Sequence, residues 1–186
     1  PNSGAAVNGH DNRNSSDNLG GNLYLEYKFL GFLTARTDFG YNWTYGKSKN
    51  WTSIEQGGGR GLTTNALSEG YSTNEVWIWN NTLSFDKTYG KHHIAALAGV
   101  SAESGSYTST YPQNATGFSN QDPSLRYYNN AGSFTNVTTG GADDYSLQSY
   151  FGRISYEYAG RYMIAGNIRR DGSSKFAPDY RWGNFP

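Results

Sequence analysis

The side chains that could do chemistry in this chain are few and scattered. His92 and His93 open a candidate strand, but a metal site there would need further ligands at suitable spacing, and none follows. Asp122, Asp143 and Asp144 offer the oxygen ligands that calcium prefers, yet the spacing of a helix-loop-helix calcium loop is missing. The sequence therefore predicts no metal site and no cofactor.

Carboxylates beside cations raise the question of acid-base catalysis. Glu26 with Asp38, or Glu157 with Arg153, could be posed as acid and base, but nothing nearby supplies a nucleophile or a defined pocket. We expect a non-enzymatic role in which charged side chains line a polar interior. Six side chains are assigned to that interior: Glu26, Arg36, Asp38, Arg153, Glu157 and Arg169.

Composition narrows the class of protein. Hydrophobic residues make up 35% and charged residues 16%, both low for a globular domain, while aromatics reach 16%, which is far too many for a disordered chain. The formal net charge is zero, so no electrostatic surface for nucleic acid is expected. Cysteine is absent, which excludes disulfides and thiolate metal sites.

Period-two alternation, the pattern of a β-strand, is the strongest local signal. Leu23, Leu25, Tyr27 and Phe29 share one face of the first example, and polar residues occupy most of the other face. Six strands in three hairpins are predicted, near residues 22–30, 33–45, 74–86, 92–103, 145–158 and 161–171.

The connections between these strands alternate in length. The turns at 30–32, 86–91 and 159–161 are short, whereas 46–73 and 103–144 are long. Outer-membrane barrels have short periplasmic turns and long extracellular loops, and loops of this length are uncommon in compact soluble domains. We expect the two long segments to be extracellular loops.

Charges and aromatics are distributed as a membrane sheet requires. In-strand charges fall on the less apolar face, and the apolar face has none until Arg170. Aromatics gather at both strand ends, Trp43, Tyr45, Trp77 and Trp79 toward the long loops and Tyr27, Phe29, Phe85, Tyr158 and Tyr162 toward the short turns. Two aromatic girdles favour an all-β fold, an antiparallel transmembrane β-barrel segment. The alternative is a secreted β-sandwich that binds glycans through exposed aromatics, because a soluble antiparallel sheet also hides one face.

A specific family resemblance lies near the end of the chain. Residues 160–176 and 181–186 closely resemble the barrel signature of SusC-like TonB-dependent transporters, and 149–156 and 22–27 are similar to the same family. The signature positions are Arg169, Arg170, Asp171, Gly172, Ser173, Ser174, Arg181, Trp182 and Gly183. We expect a tight turn at Asp171-Gly172 and a structural role for this signature near the strand top, more than a substrate contact.

The resemblance implies an outer-membrane importer of a Gram-negative bacterium, typically of the Bacteroidota. It implies a SusD-like surface lipoprotein as the lid of the barrel, an oligosaccharide or peptide as cargo, and energy delivered by TonB. No TonB box, plug domain or closing strand is present in the sequence. We therefore expect this chain to be an internal piece of a larger barrel.

Aromatic residues in the long segments are candidates for contact with the cargo or the lipoprotein. They are Trp51, Tyr71, Tyr107, Tyr111, Tyr127 and Tyr128. An anionic cargo would call for convergent cations, and only Lys47, Lys49, Arg60 and Arg126 are available there. We expect a neutral cargo or a protein surface, because Tyr and Trp offer an apolar face with a polar tip.

Overall fold

The computed structural model describes residues 10–54, 64–135 and 140–186. Their strands are His10–Phe29 (β1), Leu33–Thr52 (β2), Ala66–Tyr89 (β3), His92–Thr116 (β4), Ser133–Thr135 (β5), Gly140–Tyr158 (β6), Tyr162–Ser173 (β7) and Trp182–Phe185 (β8). Single turns of 3-10 helix occupy Pro123–Leu125, Tyr128–Asn130 and Pro178–Tyr180. Among the described residues, no helix is long and apolar enough to cross a membrane.

All described strands belong to one sheet. The strand order is β1-β2-β3-β4-β6-β7-β8, with β5 paired to β4, so each long strand lies beside the next long strand of the chain. This arrangement confirms the predicted all-β antiparallel fold, with the six predicted strands as its six long members. The short strands β5 and β8 were not predicted, because runs of three and four residues are too short to show alternation.

Two of the short turns share one backbone feature. Leu30 and Gly31 have φ of 53° and 71°, and Ala159 and Gly160 have φ of 52° and 68°. Positive φ at both central residues characterises type I′ turns, whose twist matches that of the flanking strands. Glycine adopts this conformation freely, so one glycine in each pair reduces the strain of the turn.

The strands extend well past their predicted ends. β2 continues to Thr52 and β3 begins at Ala66, inside the segment predicted as a loop at 46–73. β4 continues to Thr116 and β6 begins at Gly140, inside the segment predicted as a loop at 103–144. Backbone hydrogen bonds continue the ladder where both faces are polar, and there hydrophobic alternation no longer marks the strand.

The chain folds as two compact units. Unit 1 comprises Pro1–Asn18, Thr44–Asn74 and Tyr107–Asp143, and unit 2 comprises Leu19–Trp43, Glu75–Ser106 and Asp144–Pro186. Unit 1 contains a small hydrophobic core of Trp51, Leu67, Ala115 and Phe118, in which the rings of Trp51 and Phe118 meet edge to face at 4.9 Å. Among described residues, unit 2 buries no large hydrophobic side chain.

The β6/β7 register separates the two faces of unit 2. Tyr156 pairs with Ile164 on the face that we call the apolar face, and Phe151 pairs with Arg169 on the opposite face, the polar face. Because side chains alternate along a strand, these pairs assign every other position in both strands. Ile154 joins the apolar face and Ser155 the polar face.

Candidate functional site

The polar face of unit 2 carries an ion cluster where β1 meets β2. Arg36 donates two hydrogen bonds to Asp38, at 2.8 and 2.7 Å, and approaches Glu26 across the strands at 3.4 Å. Its guanidinium also lies 4.5 Å from the centre of the Tyr24 ring. The structure therefore brings together three of the charged residues that the sequence assigns to a polar interior.

A second polar cluster lies on β6 and β7. Arg169 Nε donates to both carboxylate oxygens of Asp171, at 2.7 and 2.8 Å, and its terminal amino group reaches the Ser149 hydroxyl at 3.2 Å. Arg153 and Glu157 occupy the same face by register, opposite Asn167 and Met163. Within the described residues neither of them forms an ion pair.

Ile78 interrupts the polar face on β3. A Cβ atom at Gly40 of β2 would lie 3.0 Å from the Ile78 side chain and 2.6 Å from the Asn22 amide oxygen, so all three residues share this face. A side chain at position 40 would require the Asn22 amide and the Ile78 side chain to shift. Apolar and polar residues therefore do not alternate strictly along β3. The exception at Ile78 is explained by its position, because it fills the space beside Gly40 on the polar face.

The apolar face of unit 2 exposes large side chains to the surroundings of the chain. Ile154 is 58% exposed, Ile164 70% and Leu25 70%. A soluble monomer rarely leaves a contiguous apolar face of this kind uncovered. This face therefore needs another apolar phase or another surface against it.

The sequence-based statement that this face lacks charge before Arg170 is wrong for β3. Glu75, inside the predicted strand, accepts a hydrogen bond from the Tyr41 hydroxyl at 3.0 Å. Lys87, which was predicted to be in the turn at 86–91, is in β3 and lies 4.1 Å from the Phe32 ring centre and 4.7 Å from that of Tyr89. Both charges are near the ends of the unit 2 segments of their strand and each touches aromatic rings or hydroxyls. Long charged side chains at such positions can keep their polar ends at an aqueous boundary.

Histidines near the short turns have aromatic or acidic partners. His92 Nδ1 lies 2.6 Å from the Tyr156 hydroxyl, and His93 Nε2 lies 3.2 Å from Asp86 Oδ1. The His92 ring also approaches Tyr158, with 5.0 Å between ring centres. Within the described ranges, His, Asp and Glu side chains form no group of three that could hold a metal ion.

The signature residues form a packed junction of β6, β7 and β8. Gly172 is buried beneath the Trp182 indole, because a Cβ atom at this glycine would lie 2.8 Å from the ring. The Trp182 ring stacks with Tyr150 at 6.0 Å, and the Arg170 guanidinium lies 5.0 Å from the Trp182 ring centre. Ser174 binds Ser146 through its amide and its hydroxyl, at 2.9 and 2.8 Å.

The predicted turn at Asp171-Gly172 is wrong, because both residues are in β7 and pair with Gly183 and Trp182 of β8. Asp171 is held by Arg169, and Gly172 makes room for the indole, so each has a reason to be in a strand. The chain turns after Ser173 instead.

The loop aromatics of unit 1 divide into buried and exposed groups. Trp51 is 1% exposed and belongs to the core, so its predicted role as a contact residue is wrong. Tyr128 packs against the same core, its hydroxyl accepts the Glu69 amide at 2.8 Å, and burial raises the pKa of that hydroxyl. Tyr127 is 62% exposed. The side chain of Tyr111 lies outside the described residues.

A buried arginine, which sequence reasoning did not single out as structural, organises residues 117–132. Arg126 donates to Asp11 and to the Gln121 carbonyl, both at 3.1 Å, and its guanidinium lies 4.6 Å from the Trp51 ring centre. Lys49 donates to the Arg126 carbonyl at 2.9 Å and pairs with Glu69 at 3.1 Å. Two of the four cations predicted to be available for cargo are therefore engaged inside the protein. Arg60, another of the four, lies outside the described residues.

An open cavity of about 310 Å³ lies in unit 1 beside the exposed aromatics. Tyr71 and Tyr107 line it, 37% and 44% exposed, and Lys47 lies 5.6 Å from the Tyr71 ring centre. Ser15, Ser48, Ser72, Ser109 and Thr110 add hydroxyl groups to the lining. Aromatic faces beside many hydroxyls suit a neutral polar molecule, since both sides can exchange hydrogen bonds while the rings cover apolar surface.

The chain matches no family model. The known proteins to which its sequence is similar are TonB-dependent receptors. It is 31% identical over 182 residues to TonB-dependent receptor P3 of Formosa agariphila, which covers 92% of this chain and 17% of that protein. It is 51% identical over 41 residues to TonB-dependent receptor SusC of Bacteroides thetaiotaomicron, which covers 22% of this chain and 4% of that protein.

Solved structures of the RagAB peptide importer share the fold. The open-open state superposes with a TM-score of 0.87 at 17% identity, over 97% of this chain and 20% of that chain. The closed-closed state gives 0.86 at 16% identity, over 95% and 19%. The sheet and its two contrasting faces thus define a transmembrane β-barrel segment. Sequence and fold together confirm the resemblance: the chain corresponds to part of a SusC-like TonB-dependent transporter.

Proposed function

We propose that the protein containing this chain is an active importer in the outer membrane of a bacterium of the Bacteroidota, and that unit 2 forms a sector of its wall. The observation that carries the proposal is the contrast between the faces of unit 2. Ion-paired side chains such as Arg36 and Arg169 occupy one face, and exposed Leu and Ile side chains the other. Lipid outside and water inside would satisfy both faces. The TonB-dependent receptors that the chain matches support the same function.

The cargo that we propose is an oligosaccharide or a peptide, delivered with a SusD-like lipoprotein and driven by TonB. The cavity lined by Tyr71 and Tyr107 supports a neutral cargo, because aromatic rings and hydroxyls dominate its lining. Lys49 and Arg126 are engaged with Glu69 and Asp11, which leaves few cations for an anionic ligand. The name of the RagAB peptide importer is consistent with a peptide cargo. We expect no catalytic activity.

The secreted β-sandwich receives no support from the described residues. A sandwich needs two sheets packed face to face, and every described strand belongs to a single sheet. Within the described ranges the hydrophobic core consists of four residues of unit 1, and no second layer of these residues covers the apolar face.

The test uses the full-length protein in a host that lacks its gene. Restoring the gene should restore growth on a specific oligosaccharide or peptide, and the double variant Tyr71→Ala, Tyr107→Ala should lower the uptake rate at equal outer-membrane abundance. Tyr180→Ala is the matched control, because this exposed tyrosine lies outside the cavity. Recovery of the protein in the soluble fraction, or growth that never depends on the gene, would exclude the importer.

A further inference from the structure

A cleft of about 480 Å³ on unit 2 has no role in the function proposed above. Trp77 of β3 and Trp182 of β8 contribute its two indole rings. In the sheet order β4, β6 and β7 lie between these two strands. The residues that those three strands contribute to the lining include Ala102, Ser104, Ser146, Gln148 and Gly172. Ala102, Ser104 and Ser146 have small side chains, which leave a recess between the two indoles.

This recess is on the apolar face. Gln148 pairs with Gly172, two positions along both strands from the apolar-face pair Tyr150 and Arg170. Trp182 stacks on Tyr150, which fixes its indole on the same face. Farther along β6 and β7 this face carries the large apolar side chains of Ile154, Ile164 and Ile168, whereas the recess is lined by more polar residues such as Ser146 and Gln148.

Two cations accompany the cleft. Arg181 lines it and donates Nε to the Phe176 carbonyl at 3.2 Å, and its guanidinium makes no other hydrogen bond within the described part of the chain. Arg170 lies over the Trp182 ring. Glu103 also borders the cleft, but its carboxylate accepts the Tyr145 hydroxyl at 2.8 Å, and it borders the polar-face cavity of Ser149 and Arg169 as well.

Resting on the proposed membrane location, we propose that this cleft binds one anionic, phosphate-bearing lipid of the surrounding leaflet. The guanidinium groups of Arg170 and Arg181 hold the phosphate, for which the planar fork of arginine is suited. An acyl chain lies across Ala102, between the indoles of Trp77 and Trp182. Indole rings favour the headgroup level of a bilayer, which places the phosphate and the two cations at the same depth.

The experiment measures retained lipid on the full-length protein purified in non-ionic detergent. Mixed micelles supply dimyristoyl phosphatidylglycerol or dimyristoyl phosphatidylcholine, and native mass spectrometry counts the bound molecules. Arg181→Gln should lower phosphatidylglycerol retention about fivefold, since one basic residue is lost. Phosphatidylcholine retention should fall less, because the choline cation offsets the charge of its phosphate. Ala102→Phe fills the recess and should lower retention of both lipids. Ala98→Phe, on the same face of β4 but outside the lining, should behave as wild type.

The outcomes separate this site from the importer itself. Heat-modifiable gel mobility confirms that each variant is folded. If Ala102→Phe does not fold, the lipid site is tested by Arg181→Gln alone. Equal phosphatidylglycerol retention by wild type and Arg181→Gln would overturn the lipid site and leave the importer intact. A wild-type protein that is recovered without detergent would overturn both.

Discussion

Unit 1 and unit 2 differ in whether they bury their large hydrophobic side chains. Unit 1 covers its own hydrophobic groups, with Trp51 and Leu67 at 1% and 0% exposure. Unit 2 leaves Leu25 and Ile164 exposed at 70% each, and its buried positions are glycines and Ser149. One unit is packed as a water-soluble structure is packed, and the other has a face that requires an apolar environment.

The charged side chains of the two units also differ in burial. In unit 1 Arg126 is buried against Trp51 and satisfies Asp11 and a backbone carbonyl, so its charge holds the fold together. In unit 2 Arg36 and Arg169 remain about half exposed, paired with acids two positions along the same strand. Exposed pairs of this kind contribute little to stability. Their position on one face is compatible with the water-filled interior proposed above.

Among the substitutions considered, one that disrupts the hydrophobic core of unit 1 should lower local stability the most. Trp51→Ala removes a fully buried ring that packs on Phe118 and Arg126, and should lower the local free energy of opening by about 3–5 kcal/mol. Hydrogen exchange of the Leu67 and Phe118 amides in the full-length protein measures it. Trp79→Ala is the control, because Trp79 is 49% exposed and belongs to unit 2. Equal protection in wild type and Trp51→Ala would mean that unit 1 has no core of its own.

The faces of unit 2 should respond unequally to charge. Ile154 lies about 13 Å along the strand from Tyr158, near the middle of an apolar band about 25 Å tall. Ile154→Arg should destabilise the barrel by about 2–4 kcal/mol, whereas Ser155→Arg on the polar face should cost much less. Urea unfolding of the full-length protein in lipid vesicles compares them, and Leu25→Arg against Thr34→Arg repeats the comparison on β1 and β2. Similar costs on both faces would remove the distinction between lumen and lipid.

The six long strands could be predicted because unit 2 has period-two alternation, as in Leu23, Leu25 and Tyr27. Their true ends could not, since β2 continues through Lys47, Ser48 and Lys49, where hydrophobicity no longer alternates. Backbone pairing with a neighbouring strand sustains such segments, and that information is not local to the sequence. The short strand β8 was missed because four residues are too few to show alternation.

The candidate site was predictable in part. Glu26, Arg36 and Asp38 were predicted to share one face, and they contact one another there. Their assignment to a channel interior stays a prediction. Trp51 was misassigned, since a tryptophan in a polar segment has the same local pattern whether it is exposed or covers a core. The core partner Phe118 is far away in sequence, and Arg126 acts through Asp11, which is 115 positions distant. Long-range contacts of this kind carry no local signal.

A conservative substitution at Arg126 should destabilise unit 1 less than the loss of Trp51 does. Arg126→Lys keeps the charge but loses the planar fork that reaches Asp11 and the Gln121 carbonyl together, so the local free energy of opening should fall by about 1–3 kcal/mol. Hydrogen exchange across residues 120–131 provides the measurement. Arg153→Lys in unit 2 is the matched control, because Arg153 has no ion pair in the described residues. A loss no larger than that of the control would show that Arg126 does not hold this segment.

The smallest expected effect is a pH dependence at the start of the same segment. Asp122 caps the turn Pro123–Leu125, accepting the Ser124 amide at 2.8 Å and the Ser124 hydroxyl at 2.7 Å. These hydrogen bonds, the hydroxyl first, lower the pKa of Asp122 below its ordinary value of 3.8. A carboxyl whose pKa is lower in the folded state stabilises that state fully above pH 3.8, and the contribution disappears as the pH falls through the folded value.

Protection of the Ser124 amide should therefore be constant near pH 5 and decline below the ordinary pKa of 3.8, with a small amplitude because Asp122 is exposed. The pKa of Asp11 is also lowered, chiefly by Arg13, so the titration is run in an Asp11→Asn background to isolate one carboxyl. Asp122→Asn should then abolish the dependence, since an amide oxygen still accepts a hydrogen bond but does not titrate. A decline that survives Asp122→Asn would assign the pH sensitivity to another group and remove the capping role of Asp122.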